Sequence, residues 1–251
     1  MFAWSAAGGK VDAARHVRLI EKAVDAAAGS FEDRGRALDV LENASCESLH
    51  ACLERAKAAR EPVAVLHLLC HGGADREGSF GLVLCDGDDP AAPDIVSASR
   101  LQQLLAPYAG LVRLVVVSAC DGGNAGDAGD ALGSVAQALH RAGFPVVIAS
   151  RLPLSWDGAR VFAAELYERL LGDLASVEDA FLAARAKLSR RPSYDWASLQ
   201  LYAREADGDA TYVFQPRPYR GLAAFKPEHA RFFFGRDAEI AEGVGDLDAL
   251  A

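Results

Sequence analysis

The sequence predicts an α/β fold with a mostly parallel central sheet and helices on both faces. Three observations predict it. Short β-rich apolar runs alternate with segments of helical period along the 251 residues. One run, "VVIAS" at 146–150, is apolar almost throughout, as a strand covered on both faces must be. The intervening helices are long enough to serve as crossovers between parallel strands.

The elements follow in order. "DAARHVRLIEKAVDAAAG" predicts a helix from a cap at Asp12 to a stop at Gly29. "VLHLL" at 65–69 and "GLVLC" at 81–85 read as strands, as does "LVRLVVVSA" at 111–119. "ALGSVAQALHRAG" places Leu132, Val135, Ala136 and Leu139 on one helical face and stops at Gly143. "FPVVIAS" is the next strand. "DGARVFAAELYERLLG" spaces Phe162, Leu166 and Leu170 four apart and stops at Gly172. "SVEDAFLAARAKL" opens with Ser176 three residues before Asp179, the spacing of a capping box.

Composition narrows the function. A net charge of −9 makes the chain a poor electrostatic match for nucleic acid or an anionic membrane. No apolar run approaches the roughly 18 residues of a spanning helix, and "MFAWSAAGGK" lacks the basic region of a signal peptide. Five cysteines without paired spacing fit a reducing, cytoplasmic setting rather than a disulfide framework. There is no C-x-x-C pair, no H-E-x-x-H helix, no G-x-S-x-G elbow and no phosphate-binding G-x-x-x-x-G-K-[ST] loop. No metal and no cofactor are expected.

Two strands share an unusual ending. "VAVLHLLCHGG" at 63–73 stops on His71 and two glycines, and "LVRLVVVSACDGG" at 111–123 stops on Cys120, Asp121 and two glycines. A core needs the valines and leucines but not those endings. In open parallel sheets, ligands bind beyond the carboxyl ends of the strands. Were the two strands neighbours, about 5 Å would separate His71 from Cys120. A thiolate beside an imidazolium is a nucleophilic pair for acyl transfer. The N–H groups of Gly72 and Cys120 are then the candidate oxyanion hole.

In combination, "HLLCHGG", "SFGLVLCD", "VVVSACDGGN", "GSVAQALHRAGFPVVIASRLPLSW" and "DWASLQLY" resemble the CHAT family of caspase-like cysteine peptidases over about residues 1–205. The His-to-Cys interval of 49 positions is close to the roughly fifty of caspases. The resemblance implies a caspase-like fold, a His71–Cys120 dyad, a protein substrate and a part in bacterial defence or programmed cell death. Of the family's usual first strand only "MFAWSA" remains. "PYRGLAAFKPEHARFFFGRDAEI" resembles the lead-in to a STAND-type NTPase. It implies a peptidase domain over 1–216, then 217–251 as linker and start of an NTPase or sensor that controls the peptidase. The rival reading is a catalytically silent module that uses the same fold for interaction or regulation.

The pocket residues carry alternatives. Ser118 stands where caspases carry Gln, and Arg151 where relatives often carry Gln. Arg151 would favour an acidic substrate residue. Asp157 would favour a basic one, the preferred direction here, or would cap the helix that follows it. Asp121 either lines the cleft or turns the chain. Trp196 is core or groove wall. His67, Cys70 and Cys85 read as packing residues, with His67 hydrogen-bonded inside. "DGGNAGDAGDALG" reads as a mobile loop or as one that orders over the site on activation. Few apolar anchors in Gly122–Gly129 predict weak activity for this chain by itself.

Overall fold

The protein was analysed as a computed structural model, which describes residues 1–27, 38–74, 80–120, 128–152, 154–204, 212–214 and 241, with Cys120 and 128–134 described through their backbone. The expectations for Asp121, for most of the glycine-rich loop and for 217–251 therefore lie outside the described residues, apart from Ala241.

A mixed, mostly parallel sheet of eight strands runs in the order β2-β1-β3-β6-β7-β8. The strands on this path are β1 (Phe2–Trp4), β2 (Val40–Leu41), β3 (Val63–Ala74), β6 (Val112–Cys120), β7 (Val146–Ser150) and β8 (Leu199–Ala203). β1, β2, β3, β6 and β7 are parallel, and β8 closes one edge antiparallel. β4 (Phe80–Cys85) and β5 (Pro93–Ser97) form an antiparallel extension from the far end of β3. All five residues of β7 are buried, which explains its unbroken apolar run.

Period-two alternation along the strands feeds two cores. Val65 and Leu69 of β3 with Leu114 and Val116 of β6 face α1 (Ala13–Ala27), α5 (Trp156–Tyr167) and α6 (Val177–Ser189). Leu66 and Leu68 with Val115 and Val117 face α2 (Cys46–Ala59), α3 (Ala98–Leu105) and α4 (Ala128–Ala142). A π-helical turn, Glu168–Gly172, carries Leu170 into the first core. α7 (Asp195–Ser198) leads into β8. Beyond β8, Val213 is buried in the first core and its carbonyl accepts from Arg113 Nη1 at 3.3 Å.

Capping explains several helix starts. Ser176 Oγ accepts from the Asp179 N–H, as its spacing predicted. Two helices passed over in the sequence have the same signal: Ser45 and Ser48 form a reciprocal capping box ahead of α2, and Ser97 caps α3. Gly143, at φ +114°, ends α4. α4 starts at Ala128, so Gly129 is helical rather than part of a loop.

The first strand is short but fully built in: Phe2 and Ala3 are buried, and β1 pairs with β2 on one side and β3 on the other. Three residues suffice because both edges are bonded. One expectation is corrected: β3 does not stop at His71. Its parallel ladder with β6 ends there, but Gly72–Ala74 go on to pair with β4.

This second pairing gives Gly72 and Gly81 a packing reason as well. A Cβ on Gly72 would stand 2.3 Å from the Phe80 ring, and one on Gly81 would stand 2.3 Å from the Val96 carbonyl oxygen. Because backbone cannot swing aside as a ring can, Gly81→Ala is expected to lower unfolding free energy by about 1–3 kcal/mol. Urea titration of the variant against wild type measures this, and an unchanged midpoint would show that the hairpin tolerates the methyl.

Candidate active site

β3 and β6 bring His71 and Cys120 together. They are direct register partners, the last pair of the parallel ladder. Alternation gives positions 71 and 120 the same sheet face as His67 and Ser118. The strands that carry His71 and Cys120 are thus adjacent and place the two residues level with each other. The distance from the imidazole to the thiol lies outside the described side chains. Gly72 follows His71, half-buried, where the chain turns to pair with β4.

His71 is only 3% exposed. Trp156, the first residue of α5, packs T-shaped with it, with ring centroids 6.2 Å apart at 75°. The β1–α1 loop also comes close: a Cβ on Gly9 would lie 3.0 Å from His71 Nε2. Gly9 has φ +155°, so a side chain there is strained as well as crowded. Ala7 anchors this loop against Val83, Cys85 and Ile95.

Beneath the pair lies a buried polar network. His67 Nε2 shares a hydrogen bond with Ser118 Oγ at 3.0 Å, and its Nδ1 shares one with Tyr167 OH at 3.1 Å. The Tyr167 ring stacks on His67 at 15°, while Phe2 and His16 meet it edge-on. Burial is the first cause that holds the His67 imidazole well below the usual histidine range, helped by His16 and the N-terminal amine. Burial likewise lowers His16 and pushes the Tyr167 phenol up. His67 is therefore a neutral, bonded core histidine, as the sequence implied.

The other candidates separate. Ser118 is not open to a substrate pocket: it is 1% exposed and bonded to His67. Asp157 does not cap α5. Ser155 does, accepting from the Gly158 N–H. Asp157 lies in the first turn, where its carboxylate pairs with Arg160 and Arg191. The Arg160 bond is the main cause of its lowered pKa. Arg151 is exposed, and its backbone N–H donates to Ser198 O at 2.7 Å. Trp196 is not core: it is 36% exposed and packs under the Arg185 guanidinium. Cys70 and Cys85 are buried packing residues.

Sequence reading passed over Trp156 and Asp195. Asp195 accepts from both the N–H and the hydroxyl of Ser155, at 2.9 and 2.6 Å. The signal available was the Ser155 cap; its partner lies 40 residues downstream, a separation no local pattern spans.

Among the described residues no group of three or more His, Cys, Asp or Glu is placed to hold a metal ion. No helix among them is long and apolar enough to cross a membrane. No curated protein matches the chain. The CHAT domain family model matches residues 12–204, which is most of the chain and spans both strand ends. On that match, and with a mostly parallel α/β sheet to house it, the chain belongs to the CHAT domain family, a family of caspase-like, protease-type domains.

Proposed function

We propose that this domain is a cysteine endopeptidase that uses Cys120 as nucleophile and His71 as its acid–base partner on a protein substrate. The observation that carries this reading is the register pairing of His71 with Cys120 at the end of the parallel ladder. The thiolate attacks the scissile carbonyl, and the N–H groups of Gly72 and Cys120 receive the oxyanion. The imidazolium protonates the leaving amine. Water, deprotonated by the imidazole, then releases the acyl group as the acid and restores the thiolate–imidazolium pair.

Regulation by a C-terminal NTPase or sensor, a cytoplasmic setting and a role in bacterial defence or programmed cell death belong to the same proposal and rest on the family resemblance. The covered His71 supports weak basal activity. The test is labelling by peptide electrophiles, with adducts located by mass spectrometry. Cys120 is expected to react at least about tenfold faster than the half-exposed Cys52. Equal, slow rates at both thiols in the full-length, activated protein would favour the silent interaction module.

Asp157 is already engaged by two guanidinium groups. Asp157→Asn is therefore expected to leave the ranking of peptides ending in Arg, Lys, Asp or Leu unchanged. A selective loss of Arg and Lys cleavage would return Asp157 to the specificity pocket.

A further inference from the structure

The segment between β7 and α5 is held by a buried carboxylate. Asp195 is 8% exposed, and its two oxygens accept separately from Ser155: Oδ1 from the backbone N–H and Oδ2 from the hydroxyl. Ser155 Oγ in turn accepts from Gly158 N–H at 2.9 Å, which starts α5. The approach is so close that a Cβ on Gly158 would stand 2.2 Å from Asp195 Oδ2. A second tie runs alongside, from Arg151 N–H to Ser198 O. The first side chain of the helix so fixed is Trp156, whose ring packs T-shaped with the His71 ring.

We infer that Asp195 is a positioning residue for the His71 imidazole, acting through Ser155 and Trp156. A cap that satisfies both donors of one residue fixes where the helix begins and so the direction of its first side chain. An aromatic ring packed T-shaped then restricts rotation of the imidazole about its side-chain bonds. Rings on acid–base residues need such support, because a displacement of about 1 Å can cost about a hundredfold in rate. The inference rests on the proposed function only for its catalytic consequence; the contact between Trp156 and His71 is separately measurable.

The experiment has two arms, both on the whole 251-residue chain. The first follows the His71 ring resonances by NMR, assigned with His71→Gln. Asp195→Ala, Gly158→Ala and Trp156→Ala are each expected to displace them. Trp156→Phe should restore the wild-type position, and Asp195→Asn, which keeps an acceptor for the Ser155 N–H, should fall between. Leu53→Ala, in the opposite core, lowers stability as a control and should leave the resonances in place. The second arm measures peptide-electrophile labelling of Cys120. The three disruptive variants are expected to lower the maximal labelling rate by about tenfold to a hundredfold with apparent probe affinity unchanged.

Resonances that stay at wild-type values in Asp195→Asn and Gly158→Ala, or that move no further than in Leu53→Ala, would overturn the inference. So would Trp156→Phe behaving like Trp156→Ala. A wild-type Cys120 that labels no faster than Cys52 in the full-length, activated protein as well would overturn the proposed function instead, and the first arm would still decide the role of Asp195.

Discussion

Replacing Cys120 by Ala, or His71 by Gln, is expected to lower peptide cleavage by roughly a thousandfold or more. The residue of activity left is what oxyanion contacts and binding supply without a nucleophile. The double variant should be no worse than either single one, because a nucleophile and its acid–base partner fail as a unit. The two positions are register partners on neighbouring strands, so neither substitution breaks the ladder that carries them. Circular dichroism and the thermal midpoint are therefore expected to stay close to wild type. Cleavage assays on purified variants, in the presence of whatever activates the full-length protein, check the prediction. Undiminished turnover in Cys120→Ala would remove the dyad.

The second large effect concerns stability against acid. His67 and His16 are both buried, and both are held neutral below the usual histidine midpoint of 6.5. The unfolded chain takes up these two protons as pH falls through that value, while the folded chain resists. Each histidine thus contributes stability that is complete above about pH 6.5 and lost on acidification. The slope approaches about 1.4 kcal/mol per pH unit for His67, which is held well below the usual range, and His16 adds to it in the same direction. The groups facing them are Asp12 and Arg160 around His16, and Ser118, Tyr167 and the N-terminal amine around His67. The buried N-terminal amine, lowered by burial from 8.0 to about 6, acts in the same direction and starts higher, because the unfolded chain takes up its proton from about pH 8 downward. Urea unfolding at pH 8, 7, 6 and 5 should therefore show a fall that begins below pH 8 and steepens below about 6.5. His67→Leu should flatten the fall below 6.5 by one proton. It should also lower stability at pH 8 by about 1–3 kcal/mol for each hydroxyl left without its partner, at Ser118 and Tyr167. A wild-type profile level from pH 8 to 5 would contradict the neutral assignment.

Local chemistry made much of the fold legible. Apolar runs marked β3, β4, β6 and β7, because a strand covered on both faces has no room for polar residues. Helical period and end signals marked α1, α4, α5 and α6. Where local cues were weak, the reading fell short. β1 is three residues long and owes its place to partners at 40–41 and 67–69, so its own pattern is too short to mark it, and only the family resemblance pointed to a strand in "MFAWSA". The continuation of β3 past His71 depends on β4 returning along it, and Gly72 and Gly73 look like a chain ending until that partner is in place.

The same division runs through the candidate site. By itself the sequence determined the sheet class and the two β-rich runs that carry His71 and Cys120. Apolar runs and reactive residue types are local properties of the chain. Only the tertiary structure decided that these two strands are neighbours in register, and what surrounds them. It put Ser118 under the site with His67, tied Asp157 to two arginines, moved the α5 cap to Ser155, and set Trp156 and Gly9 against His71. Each of these depends on residues brought together across long separations, such as Asp195 with Ser155. Which donor meets which acceptor over such distances is chosen by packing of whole layers, and packing is a property of the folded molecule rather than of any segment.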